Sequence, residues 1–506
     1  MCSLPIMRLL TFLLAEKGLV IHFFIVLAIL TANVLIFTGR NITVASINHG
    51  ISIPRLSPSI SKEGFSYGHL LHGVLWFLVT ALVTLFVTKT VFNHTIGYDD
   101  VFAAYWHLYC LTLLALVSYG ACIVRGSKHA NVLSGIFIAL FVFTILNSTV
   151  LRIELQRYGD LGWMPRLTSS GEIFARWFMG TAMLGISYDL FSLFGLIDVP
   201  VRLFLKIAGS LVMCVFSVIL IRRSSARLEI VFPTFLPLWV MFSTGYDEYY
   251  AFVCGGLLFV LFILFHQDLA SLSFISVGCL VAVLPLLYIA FAPISLFVLF
   301  FYGVSNRRQA LPALVFGSLS FVLLLMLFGY TVPEFLVDLK RTVSFGTYTR
   351  EPRFSLHMNP YFPSIFTTDY AFSREHLYEM LYMLFFGGGL FLFLVSIVGV
   401  AVVIMKRYCT LSTVLKNERI RLGTSLVVFY MAYHLLWVPR LGLSRDIDLF
   451  FLVYVIVGFL GGAVWDFVLA RLGRHGALVS YVLVSAVFGH TLTLGVFLWS
   501  VGLPPI

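Results

Sequence analysis

The sequence predicts an all-α, polytopic transmembrane helical bundle of about 13–15 spans, and three observations carry that reading. Only 11% of the 506 residues are charged, while 60% are hydrophobic. A soluble domain draws on about 25% charged residues for its polar shell, so most of this surface must face lipid. Apolar runs follow one another almost end to end, and a span needs about 20 such residues to cross roughly 30 Å of hydrocarbon. Lys and Arg are confined to short clusters between those runs, the pattern that orients membrane helices. The net charge of +10 therefore reads as topology signals and contacts with membrane lipids, and no nucleic-acid partner is expected.

The first run, Gly18 to Phe37, is full length and has no convincing small-residue cleavage site after it, so it reads as a retained span. Further spans are expected at 101–124, 130–151, 200–221, 228–244, 249–266, 272–289, 292–304, 310–329, 380–404, 422–438, 449–469 and 477–499. The segment 292–304 is short and, with 272–289, reads as a hairpin broken at Pro293. Two segments, 69–92 and 174–197, either cross or lie at the interface. With no tandem repeat, low-complexity tract or linker, residues 1–506 read as a single transmembrane domain. The cysteines have no metal-like or disulfide-like spacing. Cys110, Cys122, Cys214, Cys254 and Cys279 fall in apolar runs as small core residues.

Basic residues set the orientation. With the N-terminus cytoplasmic, the clusters Arg222-Arg223-Arg227, Arg307-Arg308, Lys406-Arg407-Lys416-Arg419-Arg421 and Arg471-Arg474 all fall on the cytoplasmic side. If 69–92 and 174–197 both cross, Lys89, Arg152, Arg157, Arg166 and Arg176 join them, and Arg125 and Lys128 move outside; if neither crosses, these assignments reverse. The charge rule favours crossing. The outer face then receives the turn Gly245–Tyr249, a long loop at about 330–378 and the turn Pro439–Asp448. A loop of that length exceeds an ordinary connection and points to function. It is rich in Arg, aromatics and Pro, among them Arg341, Arg350, Arg353, Tyr361, Phe362 and Pro363.

Three acidic motifs sit at the ends of apolar runs: Asp99-Asp100, Asp247-Glu248 between Tyr246 and Tyr249, and Arg445-Asp446-Ile447-Asp448. A carboxylate at mid-bilayer costs about 2.5–3.5 kcal/mol by insertion scales, so such acids face a protein interior or a watery cavity. Asp446 and Asp448, one residue apart at a turn, can both point at one metal ion or one hydroxyl. Arg445 beside them offers a fork for phosphate. The plainer role for acids at helix ends is to cap the first turn or mark the water boundary. His69 and His72, three apart, share a helix face as phosphate or metal ligands would. His376, next to Arg374 and Glu375, is placed to face the same cavity as the outer loop. Gly387-Gly388-Gly389 interrupts an apolar helix and suits close packing or a kink. The chain has no phosphate-cradling Gly-rich loop of the Walker type, no zincin motif and no nucleophile elbow, which argues against ATP hydrolysis by this chain alone.

Resemblance adds a direction. Val201-Arg202-Leu203-Phe204-Leu205-Lys206-Ile207-Ala208-Gly209-Ser210, running into an apolar helix and Arg222-Arg223, resembles a transmembrane helix recurrent in GT-C glycosyltransferases. Ser243-Thr244-Gly245-Tyr246-Asp247-Glu248-Tyr249 resembles the outer-leaflet Gly-Tyr-x-Glu-x-Tyr turn of bacterial members. Tyr67-Gly68-His69-Leu70-Leu71, Ser373-Arg374-Glu375-His376-Leu377-Tyr378-Glu379 and Pro439 through Phe450 look like segments of uncharacterised prokaryotic polytopic proteins. Those are grouped with dolichyl-phosphate-mannose-protein mannosyltransferase-like proteins. Ile447 stands where that pattern usually shows Trp. Together these segments reach across about two thirds of the chain.

The resemblance implies transfer of a sugar from a polyprenyl-phosphate donor on the outer leaflet, with an acid of the first outer loop as base. The segment Gly39–Gly68 departs from this, holding Glu63 as its one acid and no Asp. The reading is therefore a membrane glycosyltransferase in a prokaryotic inner membrane. Asp247, Glu248, Asp446 and Asp448 are its catalytic candidates. Arg445, His69, His376, Arg350 and Arg353 are candidates for the lipid-linked donor's phosphate, and Asp446 with Asp448 for a divalent cation, Mg or Mn. Two alternatives stand beside it. An O-antigen ligase or polymerase would rely on Arg341, Arg350, Arg353 and His376. A transporter or flippase for a lipid-linked or anionic substrate would show paired broken helices or inverted repeats.

Overall fold

The computed structural model describes residues 67–90, 109–123 apart from 111 and 122, 178–195, 253–257, 269–343, 374–405 apart from 388, 409–436, 451–472 and 476–501, with a few isolated helical residues between 208 and 264. Among them every regular element is helical. In chain order these are α1 (Leu70–Thr90), α2 (Thr112–Ala121), α3 (Phe178–Ser192), α4 (Phe274–Leu287), α5 (Ala292–Ser305), α6 (Arg307–Leu327), α7 (Val332–Val343), α8 (Arg374–Phe386), α9 (Gly389–Met405), α10 (Leu411–Leu415), α11 (Glu418–Leu436), α12 (Phe451–Leu472) and α13 (Gly476–Val501). Among the described residues four stretches are long and apolar enough to cross a membrane: Leu70–Thr88, Arg307–Leu327, Leu452–Leu472 and Gly476–Val496. The bent pair α8–α9 makes a fifth if it is one span. The expected spans 18–37, 130–151, 200–221 and 228–244 lie outside the described residues, apart from isolated positions. The chain divides into two compact units, the first of residues 1–156, 214–245 and 466–504, the second of residues 157–213, 246–465 and 505–506.

In the first unit α1 packs along α13. Its inward face carries Gly73, Phe77, Thr80, Ala81, Thr84 and Thr88, spaced three and four apart, while Leu71, Leu75, Leu82, Val83 and Phe86 point outward. Water would invert that arrangement. Small and hydroxyl-bearing residues between helices, with leucines outside, are the packing of a helix whose solvent is lipid. Gly73 lies under the Tyr481 ring, Gly120 between Leu70 and Tyr481, and Gly489 under the Phe77 carbonyl. Thr80, Thr84 and Thr88 donate their hydroxyl protons to the carbonyls of Trp76, Thr80 and Thr84, each at 2.7 Å. Thr84 Oγ1 is also 2.8 Å from His490 Nδ1. Because the threonine proton is already given to Thr80, the ring Nδ1–H is the donor in that pair.

The contacts pair Gly73 with Tyr481 and Thr84 with His490, so α1 and α13 run parallel. The helical segment after α1, which contains α2, runs against both: Tyr109 donates to Thr493 at 3.1 Å, and Gly120 meets Leu70. This corrects the charge-rule assignment. The segment 69–92 is a helix long enough to cross, yet it begins beside the start of α13, close in sequence to Arg471 and Arg474, and leaves Lys89 at the opposite end. The four arginines that joined Lys89 in that assignment, Arg152, Arg157, Arg166 and Arg176, lie outside the described residues.

In the second unit α4, α5 and α6 pack as an up-down-up trio. The expected hairpin of 272–289 with 292–304 is present, but it turns earlier than Pro293. Tyr288 is extended at φ −158° and ψ 125° and ends α4. Pro293 then sits in the first turn of α5, where its missing N–H breaks no helical bond. Across the hairpin Ser295 Oγ donates to Leu280 O at 3.4 Å, and Tyr302 OH lies 3.1 Å from Leu272 O and 2.7 Å from Gln309 Oε1. Gly278 and Gly317 let α4 and α6 approach until a Cβ on either would stand 2.9 Å from a carbonyl oxygen of the other helix. On the far side of α6, Leu311, Val315, Leu319, Leu323 and Leu327 form an exposed stripe spaced four apart, a lipid-facing surface. At 14 residues each, α4 and α5 rise roughly 21 Å, less than the hydrocarbon thickness.

The segment 174–197 contains α3, 15 residues long, about 22 Å and so also short of a span. It stops in a turn closed by Gly195 at φ 68°. Phe178 joins Leu286, Leu325 and Phe335 in a buried cluster at the far end of the trio.

The region 380–404, expected as one span, is built of two helices. α8 and α9 meet at 87° around Gly387–Gly389, and Gly387 faces the Tyr454 ring so closely that a Cβ would lie 2.4 Å from it. The glycine run thus provides both the kink and the close packing expected of it. Beyond the bend α9 follows α12, with Leu392 on Gly461 and Gly399 on Trp465.

The outer loop expected at about 330–378 is helical at both ends, as α7 and α8; its middle, 344–373, lies outside the described residues. α7 starts with a capping box. The Thr331 backbone N–H and hydroxyl donate to Glu334 Oε2 at 2.8 and 2.7 Å, and the Glu334 N–H returns to Thr331 Oγ1 at 3.4 Å. The backbone bond first, and the hydroxyl bond second, hold the Glu334 carboxyl below its ordinary value of 4.5. A depressed folded value means that the box contributes fully above the ordinary value and is lost as pH falls through the lowered one. Amide exchange over Val332–Val343, corrected for intrinsic rate, is expected to lose protection on acidification through that window. A Glu334→Ala chain is expected to show the lower protection already at neutral pH.

Candidate functional site

Most of the acids and arginines singled out in the sequence lie outside the described residues: Asp247, Glu248, Arg350, Arg353, Arg445, Asp446 and Asp448. His376 is on the first turn of α8. His69 and His72 are described, with ring centroids 6.0 Å apart and planes at 29°, His69 half-buried and His72 exposed. They sit at the start of α1, beside the start of α13, so within the first unit they share an end with the Arg471 turn. On the charge rule that end is cytoplasmic, away from an outer-face donor.

The elements flanking the two acidic turns can be followed in the second unit. The helical run 253–257 follows the Tyr-Asp-Glu-Tyr motif, and a Cβ on its Gly256 would stand 2.3 Å from Leu287 Cδ2. α11 leads into the Arg-Asp-Ile-Asp motif, and its Tyr430 hydroxyl donates to the Ala290 carbonyl. Leu287 and Ala290 both belong to the tip of the α4–α5 hairpin. Val253 and Leu436, the described residues nearest the two motifs, therefore stand toward one end of this unit. The same end carries the Phe178 cluster, where Phe178 meets Phe328, Tyr330 and Phe335 edge-on at 5.5, 5.5 and 6.0 Å.

The other end is basic. Ser305 Oγ donates to Glu418 Oε1 at 3.1 Å, bringing the Arg307–Arg308 connection against the start of α11 with Lys416, Arg419 and Arg421. The Arg421 guanidinium lies 4.8 Å over the Phe301 ring. Two clusters that the charge rule grouped on one side are thus physically together. Their acidic neighbour Glu418 is engaged with Ser305.

Sequence reading missed the most ordered polar feature, the Thr80-Thr84-Thr88 row with His490, Tyr109 and Thr493. Its signal was available: threonines four apart inside an apolar run share one helix face. It also missed His434, 3% exposed on α11, beside Tyr433 at 5.2 Å between rings. Among the described residues no group of three His, Cys, Asp or Glu side chains is placed to hold a metal. The carboxylates expected to bind a divalent cation lie outside them.

The all-helical build, with four or five helices able to cross and lipid-facing leucines around small and polar seams, is that of a multi-pass membrane protein. Comparison with known protein families, with curated proteins and with solved structures returns no match.

Proposed function

We propose that the chain is a GT-C-type membrane glycosyltransferase, moving a sugar from a polyprenyl-phosphate donor to an acceptor hydroxyl at the outer leaflet. The observation that supports this reading is the shared end of the second unit. The helices leading from Tyr-Asp-Glu-Tyr and into Arg-Asp-Ile-Asp both attach at the hairpin tip, opposite the basic end. A base there takes the acceptor proton, the alkoxide attacks the anomeric carbon, and the phosphate leaves with the lipid. Negative charge grows on that phosphate in a site of low dielectric, so Arg445 or a divalent cation held by Asp446 and Asp448 would stabilise it. Asp247 or Glu248 is then the base or the acceptor contact. Arg350 and Arg353, in the segment between α7 and α8, and His376, on the first turn of α8, would gather the anionic donor. The location this implies is a prokaryotic inner membrane, with Arg307 and Arg421 on the cytoplasmic side.

A second reading has its own support. The α4–α5 hairpin and the 87° bend between α8 and α9 are two interrupted segments, the kind of feature from which transporters build midplane sites. Reconstitution with a radiolabelled polyprenyl-phosphate sugar separates the two. Release of polyprenyl phosphate with sugar on a new acceptor is the expected outcome. Movement of intact donor between leaflets without cleavage would replace transfer by transport.

A further inference from the structure

α7 has three faces rather than two. Val332, Phe335 and Leu339 pack against the protein, with Phe335 2% exposed against Phe178 and Phe321. Glu334 and Asp338, four apart, form a polar row. Between these faces lies a third, made of Pro333, Leu336 and Val337, which no described residue covers; Leu336 and Val337 are 55% and 52% exposed. The apolar arc of this helix is thus about twice as wide as the protein uses. A helix in water would place polar residues there.

Two features indicate what covers the third face. α7 follows α6 after a short turn closed by Gly329 at φ +77°, so it starts where the exposed leucine stripe of a span-length helix ends at Leu327. Its last turns hold Lys340 and Arg341, the residues that reach headgroup phosphates from an apolar surface. We infer that α7 lies in the membrane interface as a surface helix, with Pro333, Leu336 and Val337 set among phospholipid chains and the Glu334–Asp338 row toward water. The lipid-facing surface of α6 then continues onto α7 without a break. The capping box at Thr331 and Glu334 anchors the first turn, so the helix meets the membrane already formed. The inference stands apart from sugar transfer, because it needs only a bilayer.

The test uses the full chain, with native cysteines replaced, in nanodiscs of phosphatidylcholine and phosphatidylglycerol. A nitroxide is placed singly at Leu336→Cys, Val337→Cys or Asp338→Cys, positions outside both the packed face and the capping box. Collision with oxygen, which concentrates in lipid, is compared with collision with a water-soluble nickel chelate. The expected oxygen-to-nickel ratio is several-fold higher at 336 and 337 than at 338. Equal ratios at all three positions would overturn the inference, since the third face would then be in water. Protection of 336 and 337 from both reagents, with spin–spin broadening at one label per chain, would overturn it in favour of a second copy of the chain.

Discussion

Replacing Gly489 with valine is expected to lower the stability of the full chain by about 3 kcal/mol or more, a larger effect than substitution at any other described glycine of the first unit. A Cβ at Gly489 would stand 2.3 Å from the Phe77 carbonyl oxygen and 2.4 Å from Thr80 Oγ1. The first is backbone, fixed by its own helix, and the second already donates to Trp76 O. Neither can rotate aside. α13 would have to move off α1, parting Thr84 from His490 and leaving two polar groups buried without each other. Gly73 offers the contrast within the same seam, since its Cβ would meet only the Tyr481 ring, at 2.2 Å, and a side chain can turn. Gly185 on α3 has nothing within 4 Å of an added Cβ, so alanine there is expected to be neutral or to gain up to about 1 kcal/mol of helix propensity. Thermal unfolding of the three purified variants in one detergent checks the order: Gly489→Val well below Gly73→Ala, and Gly185→Ala at or above the parent. Equal losses at all three would mean that the seam does not hold the helices.

Helix class was legible in the sequence because lipid removes the need for a polar shell, so composition alone identifies the solvent. Elements with a single apolar run and no internal breaker were located to within a few residues, as with α6, α12 and α13. Breaks were harder. Pro293 marked the α4–α5 hairpin, but proline is tolerated in a first helical turn, so the chain turned at Tyr288, a residue with no breaker signal. Gly387–Gly389 signalled both kink and packing correctly, yet the size of the bend depends on Tyr454, which lies more than sixty residues away in sequence and is invisible to local pattern. α7 was taken for loop because its mixed composition dilutes the apolar count. Its period of three to four and the Thr331-x-x-Glu334 box were the signals to follow. Direction of α1 failed for a different reason, because four of the five charges that favoured crossing, Arg152, Arg157, Arg166 and Arg176, are more than sixty residues from the end of α1 and bear on other connections. The threonine row was legible and went unread, since attention to acids passed over hydroxyls.

Changing Asp446 to Asn together with Glu248 to Gln is expected to cut sugar transfer by about 10²–10⁴-fold. Both substitutions keep size and remove charge. If Asp446 helps hold a cation against the departing phosphate, the amide weakens that hold, and added Mg or Mn is expected to restore part of the rate. If Glu248 takes the acceptor proton, the amide cannot, and no metal concentration repairs it. The two single variants are therefore distinguishable by metal titration as well as by size of loss. Arg445→Lys keeps the charge but gives up the planar fork, so donor affinity is expected to fall more than turnover. Arg308→Gln, at the basic end beyond the hairpin, is expected to leave turnover unchanged. Full activity in the double variant would remove these acids from the chemistry. Cysteine labelling of intact cells addresses geometry independently. Reagents confined to the outside should reach Tyr249→Cys and Leu443→Cys alike, and not Arg308→Cys. Opposite accessibility of the first two would leave the acidic turns on different sides of the membrane, unable to share one substrate whatever the variants do.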